Sequence, residues 1–198
     1  DGSYKITGNK IFITAGDQDW SSNIVHLVLA RLPDAPKGVK GISLFLVPKF
    51  LLDDNNEPGE ANQVSVGSIE HKMGIKASPT CVMNFDEATG WLVGEENKGL
   101  ACMFTMMNDA RFQVGLQGLG AAEASYQGAL TYARERVQSR APQGVQNPDG
   151  KADPIVFQPD VARMLLTQKS QIEGARALSL FYAKFMDIEK LGTEEEKV

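Results

Sequence analysis

Three groups of residues in this 198-residue sequence have types and spacings that could do chemistry. The first is Phe12 and Thr14, within Gly8-Asn9-Lys10-Ile11-Phe12-Ile13-Thr14-Ala15-Gly16. Side chains alternate along a strand, which puts Lys10, Phe12 and Thr14 on one face and Ile11 and Ile13 on the other, aliphatic face. An aromatic ring with a hydroxyl one side-chain step away suits a flat heteroaromatic ligand: the ring stacks and the hydroxyl meets a ring nitrogen. The same two residues also read as an ordinary core aromatic and an ordinary strand former. The second group is Asn108 and Arg111, three apart and so on one helix face, directly after the apolar pair Met106-Met107. That pair also reads as helix surface, or as a buried ion pair with Asp109. The third is Arg134, Arg136 and Arg140, whose guanidiniums can meet two phosphate oxygens at once. Near a helix C-terminus the same arginines read as partners of the macrodipole.

The elements that must position these residues emerge from the hydrophobic pattern. Tyr4-Lys5-Ile6 precedes Thr7-Gly8-Asn9, which reads as a hairpin turn into the Phe12 strand. Further strands are expected in the β-branched run 23–31, in 41–47, in 63–71, in 80–85 and at Trp91-Leu92-Val93, with 51–62 an acidic surface loop. Short strands without an intervening helical period mean an antiparallel sandwich or barrel. From residue 97 the period changes: Leu100, Met103, Phe104 and Met107 recur at helical steps, and the pattern resumes after Arg111 through Tyr132. Met103, Met106 and Met107 read as core, or as the lining for a flexible apolar ligand. Residues 141–154 are a polar loop rich in Pro and Gly. A second helix runs from Asp160 to Leu191, with Gly192 as its C-cap. The expected class is α+β multidomain: an antiparallel β-sandwich or barrel over 1–96, then part of an antiparallel helical bundle over 97–198. A helix pair is half a bundle, so its remaining partners are expected from further sequence or a second subunit.

Composition excludes several functions. A formal charge of −5 with no basic block argues against nucleic acid as a partner of this stretch. No apolar run approaches the roughly 20 residues of a membrane span, and no secretory signal is present. Two cysteines, Cys81 and Cys102, make no disulfide framework, which fits reduced thiols and a cytoplasmic setting. Two histidines leave little for a metal site, and neither His26 nor His71 stands beside a nucleophile signature. The chain begins at Asp1 and ends in the polar run 194–198, so it is expected to be a piece of a longer protein.

The segment Tyr4–Gly16 resembles the flavin-contacting stretch of the acyl-CoA dehydrogenase family, G-x-K-x-[W/F]-I-[T/S]-x-G. Asn108-Asp109-Ala110-Arg111 resembles that family's [D/N]-x-x-R element, and Tyr132 to Arg136 its Y-x-x-x-R helix end. Gln158-Pro159 falls at a further flavin-adenine contact, with different letters. The motifs occur in the family's order, and the resemblance covers essentially the whole chain. The long 141–153 loop, with Phe181-Tyr182-Ala183-Lys184, looks more like the large bacterial branch that contains the methylthiopropanoyl-CoA dehydrogenases than like the smaller family members.

The resemblance implies an FAD enzyme that oxidises an acyl-CoA to its trans-2-enoyl-CoA and passes electrons to an electron-transfer flavoprotein. It implies that Phe12 and Thr14 stack on and hydrogen-bond the isoalloxazine, with Ile13 contributing backbone. Arg136 reaches the pyrophosphate of a flavin held across a subunit interface, so a homodimer or homotetramer is expected. Asn108 and Arg111 contact the pantetheine arm. The sequence also departs from the pattern. One branch places its catalytic glutamate just before the arginine of the long helix, where Ala110 stands here and cannot act as a base. The other family position is expected beyond Val198, so no carboxylate here is assigned to catalysis. Two other functions fit the same fold: a flavoprotein that protects DNA during the response to alkylation, and a flavin-free interaction module.

Overall fold

The computed structural model describes residues 2–197. The chain forms two compact units, one up to Asn108 and one from Asp109 onward.

The first unit is built on a curled antiparallel sheet of β1 (Ser3–Thr14), β2 (Val25–Arg31), β3 (Ile42–Pro48), β6 (Val64–Ile69) and β7 (Thr80–Val93), with a separate hairpin of β4 (Phe50–Leu52) and β5 (Pro58–Ala61). The order is β1-β7-β3-β2, and β6 also pairs with β7. β7 is the organising strand. It carries β1 along one edge; along the other it pairs with β6 through residues 81–85 and with β3 through residues 91–93. Its inward side chains Cys81, Met83, Phe85 and Ala88 form the core with Ile6, Val28, Phe45 and Val47. Buried Asn62 joins the hairpin to this sheet: its Nδ2 donates to Pro48 O at 2.7 Å and Thr89 O at 2.8 Å, and its Oδ1 accepts from Thr89 N.

The antiparallel β class is as the pattern led one to expect, but three local expectations need correction. Thr7-Gly8-Asn9 is not a turn; β1 runs through it as one strand. The irregularity there is a bulge in the partner, where Asp86 and Glu87 face Thr7 alone and Glu87 N donates to Thr7 Oγ1. The runs 80–85 and 91–93 are likewise one strand, because small residues let it pass: a Cβ at Gly90 would lie 2.9 Å from Val47 Cγ2. The 51–62 stretch contains the β4–β5 hairpin. Its acidic centre is the turn itself, where Asp53 Oδ1 accepts from Asn55 N and Glu57 N at 2.8 and 2.9 Å.

Helix α1 (Gly99–Glu135) begins in the first unit and continues through the second. At 37 residues it is about 55 Å long. The second unit packs its 109–135 part antiparallel to α2 (Pro159–Leu191): Arg176 pairs with Glu123 at 2.7 Å, and the rings of Phe112 and Tyr182 lie 5.4 Å apart. Gly192 does come after α2, but with φ −69 it does not supply the left-handed cap; a Cβ there would lie 2.6 Å from Ile188 O, which is why glycine fits. Among the described residues no helix is long and apolar enough to cross a membrane.

Candidate functional site

Phe12 sits on a bulge. Lys10 opposes Met83 and Ile13 opposes Cys81, so Ile11 and Phe12 together face Val82. The extra residue is absorbed by Phe12, whose backbone takes a left-handed φ of 58. This breaks the simple alternation. Lys10 turns inward, its ammonium donating to Leu29 O at 2.7 Å, and Ile13 packs on the core, while Ile11, Phe12 and Thr14 face out. Phe12 is 66% exposed. Ile11, expected on the core face, is exposed beside it for the same reason.

The backbone beyond Thr14 is equally constrained. Ala15 also has positive φ, and its N–H donates to Pro79 O at 2.7 Å. Gly16 is buried with Met83 Sδ 2.8 Å from where a Cβ would be, so a side chain there would have to displace the packed core. A left-handed conformation costs a non-glycine residue about 1–3 kcal/mol. Spending it on an exposed aromatic is hard to explain by packing. Holding a ring face and a hydroxyl outward on a rigid sheet is what a planar ligand requires.

Asn108, Asp109 and Arg111 lie on α1 and all are exposed, so they are not a buried ion pair. Within the second unit Arg111 helps line an apolar groove of about 850 Å³ between α1 and α2, with Phe112, Leu116, Leu119, Ile172 and Tyr182. Ala110 brings no acid group to the helix. Met106 and Met107, read as core, are exposed on this chain.

The three arginines at and just beyond the end of α1 separate by their surroundings. Arg134 lies in the last helical turn. Arg140 is engaged: its guanidinium donates to Asn147 O at 2.9 Å, to Gly150 O and to Asp153 at 3.2 Å. Arg136 is the first residue past the helix and is exposed. Its backbone is held on both sides, N–H donating to Tyr132 O and C=O accepting from Ile155 N, each at 2.8 Å. Gln158, the residue before α2, donates to Gln138 O and Arg140 O at 3.3 Å.

Composition did not single out Asp153. It lies in the polar loop yet is fully buried. Its Oδ1 accepts from Gln146 N at 3.0 Å and Asn147 N at 2.7 Å, and its Oδ2 from Ala141 N at 2.8 Å. These backbone donors, Ala141 first, hold its carboxyl below the usual carboxylate range against the opposing effect of burial. The only signal in the sequence is a charged residue just before Pro154, where the loop turns back toward a helix.

No family model matches the chain. Individual relatives do. It is 53% identical over 197 residues to a 3-methylmercaptopropionyl-CoA dehydrogenase of Ruegeria pomeroyi, covering all of this chain and 33% of that protein. It is 47% identical over 193 residues to a broad-specificity linear acyl-CoA dehydrogenase of Mycobacterium tuberculosis, covering 94% and 32%. Among solved structures, butyryl-CoA dehydrogenase of Megasphaera elsdenii superposes with a TM-score of 0.71 at 30% identity, over 99% of this chain and 44% of that one. The chain belongs to the acyl-CoA dehydrogenase family. It spans about a third of the length of the curated relatives it matches.

The family resemblance drawn from three motifs is therefore correct. The residues of this acyl-CoA dehydrogenase chain also fit the family's flavin. An outward ring and hydroxyl sit on a strained bulge, and Ile13, with its side chain turned inward, has only its backbone to offer. Arg136 is exposed on a fixed backbone while Arg140 is already engaged.

Proposed function

We propose that this chain, with the rest of its parent, forms an FAD-dependent acyl-CoA dehydrogenase that oxidises an acyl-CoA to its trans-2-enoyl-CoA. Residues 1–96 serve as the middle β domain and 97–198 as the first part of the C-terminal helical domain. The observation that carries the reading is the strained, outward Phe12 within a chain 53% identical to such an enzyme. When bound, FAD accepts the β-hydrogen together with its electron pair. Phe12 stacks on the ring system, the Thr14 hydroxyl hydrogen-bonds it and Ile13 contributes backbone. Arg136 neutralises the pyrophosphate, and Asn108 and Arg111 hold the pantetheine arm and so orient the thioester. Removal of the α-proton is assigned to a group outside this chain, since Ala110 has no proton to exchange. An electron-transfer flavoprotein re-oxidises the enzyme, which works in the cytoplasm as a homodimer or homotetramer with flavin sites at the subunit interface.

The test uses the full-length parent. Its visible spectrum is recorded anaerobically before and after addition of a panel of acyl-CoAs. Bleaching of the flavin band by some members is expected, and the ranking gives the substrate. A flavin band that none of them bleaches would favour the DNA-protecting flavoprotein, and absence of a flavin band the interaction module. Within the same enzyme, Arg111→Ala is expected to lower kcat/KM about 10- to 100-fold, the worth of a charge-assisted hydrogen bond. An unchanged kcat/KM removes Arg111 from the site.

A further inference from the structure

Between α1 and α2 the chain leaves and returns along one short ladder. Gln138 N donates to Asp153 O at 3.0 Å, Asp153 N to Ser139 O at 2.9 Å and Ile155 N to Arg136 O at 2.8 Å, with Val137 bridged to Pro154. The Asp153 side chain, at 0% exposure, gathers the rest of the loop onto that ladder. Three backbone N–H groups, from Ala141, Gln146 and Asn147, and the guanidinium of Arg140 all converge on its carboxylate. A buried carboxylate with this many donors is fully satisfied, and each donor it holds fixes another part of the backbone. Arg140 in turn spans the loop through Asn147 O and Gly150 O.

Arg136 is affected in two ways. Its main chain is pinned between the last turn of α1 and the returning segment that Asp153 secures. Its neighbour Arg140, four residues on, has its charge matched by Asp153 and its donors engaged by carbonyls, so it does not compete for an incoming anion. Of Arg136 and Arg140, only Arg136 is therefore presented to a phosphate ligand.

We propose that Asp153 is a positioning residue for the diphosphate of the dinucleotide cofactor, acting through the ladder and Arg140 to hold Arg136 in its binding geometry. This rests on the assignment of Arg136 to the pyrophosphate. Asp153 itself touches no ligand; its carboxylate is turned into the loop. Specificity for a diphosphate over a lone carbonyl or carboxylate would come from the fixed direction of one guanidinium fork, which a loose loop cannot supply.

The experiment compares Arg136→Ala, Asp153→Asn, Arg140→Gln and the double variant Asp153→Asn with Arg136→Ala, each in the full-length apoprotein. The FAD dissociation constant is measured by titration, and the apoprotein melting temperature alongside it. Arg136→Ala is expected to weaken FAD about 10- to 100-fold, as for loss of a charge-assisted contact, and Asp153→Asn about tenfold. The double variant should bind no more weakly than Arg136→Ala alone, because Asp153 acts only through Arg136. A general loosening of structure would lower melting temperature and multiply the two affinity losses, and that result overturns the proposal. So does unchanged affinity in both Asp153→Asn and Arg140→Gln while Arg136→Ala weakens binding. If Arg136→Ala leaves FAD binding as it was, the assignment of Arg136 fails instead. Should Asp153→Asn not yield folded protein, Arg140→Gln, which loosens the same loop from its exposed side, carries the comparison.

Discussion

The sheet unit and the helical unit solve opposite problems with the same chain. In the sheet unit Phe45, Val47, Cys81 and Ala88 are essentially inaccessible, and the buried polar residues Asn62 and Ser43 are hydrogen-bonded, whereas His26 Nε2 is buried without a partner among the described residues. In the helical unit burial among the described residues reaches only Ala133, Ala141, Asp153, Leu165 and Ile172, while Leu178, Leu180, Phe181 and Phe185 stand exposed along α2. An exposed aromatic therefore means different things in the two places. On the sheet, where the core is complete without it, Phe12 is a candidate for ligand contact. On α2, apolar exposure is general and singles out no residue. In the helical unit the informative group is a buried charge, Asp153.

The sharpest way to break this comparison is to remove apolar side chains from both units. Phe45 is 1% exposed and packs edge-on against Tyr4 at 5.2 Å, so Phe45→Ala is expected to destabilise the chain by about 3–5 kcal/mol in urea unfolding. Leu178, 67% exposed, should lose less than about 1 kcal/mol on the same change. Equal losses would show that the α2 face is buried in the state that unfolds.

Glycines should then respond with opposite sign. At Gly16 a new Cβ meets Met83 Sδ at 2.8 Å and Cys81 Cβ at 3.0 Å inside a packed core, and Gly16→Ala is expected to cost about 1–3 kcal/mol. At Gly118 on α1 nothing lies within 4 Å, so Gly118→Ala should stabilise by about 0.5–1 kcal/mol through helix propensity. Melting curves of the two variants decide it. A destabilising Gly118→Ala would mean that another surface approaches that helix face.

The sequence exposes these two regimes unevenly. The β-branched runs at 25–31 and 42–48 and the helical period from Leu100 onward state their elements directly, because burial on one face leaves a period behind. The bulge at Phe12 leaves none. A left-handed residue is foreseen when it is glycine or asparagine, and here the conformation falls on phenylalanine, imposed by register against β7. Gly8 misleads for the converse reason: glycine before asparagine signals a turn, yet at φ 144 it lies within a continuous strand. The proposed site residues Phe12, Thr14, Asn108, Arg111 and Arg136 come from motif resemblance, with residue types alone leaving each ambiguous. Asp153 is invisible because its burial is created by loop backbone, which composition does not encode.

Phe12 offers a smaller but more discriminating test, since stability and ligand binding should move apart. Phe12→Gly relieves the left-handed backbone, a gain of about 1–3 kcal/mol, and adds unfolded-state entropy worth about 0.5–1 kcal/mol. Loss of a mostly exposed ring forfeits little burial. The melting temperature should hold or rise slightly, while flavin retention by the full-length enzyme falls. A clear drop in melting temperature would return Phe12 to the core reading.

Acid should separate the units with the smallest effect. Both histidines lie in the sheet unit, and the surroundings of His26 shift its pKa. Burial lowers its pKa; Asp17 opposes this and Lys49 assists it, and Lys10 lines the same cavity. Its Nε2 is buried without a hydrogen-bond partner, and its ring meets Phe85 edge-on at 6.1 Å, an environment suited to neutral imidazole. The unfolded chain therefore takes up this proton at a higher pH than the folded one. The stability is fully present above the ordinary histidine value of 6.5 and is lost as pH falls through the lowered folded value. Asp153 behaves differently: its lowered pKa keeps the loop intact until pH drops below the usual carboxylate range. Melting curves between about pH 7.5 and 5 should thus fall for the native chain and flatten in His26→Phe, which keeps the ring without the proton. An equal fall in both would trace the mild-acid loss to a group other than His26 and end the assignment of that loss to the sheet core.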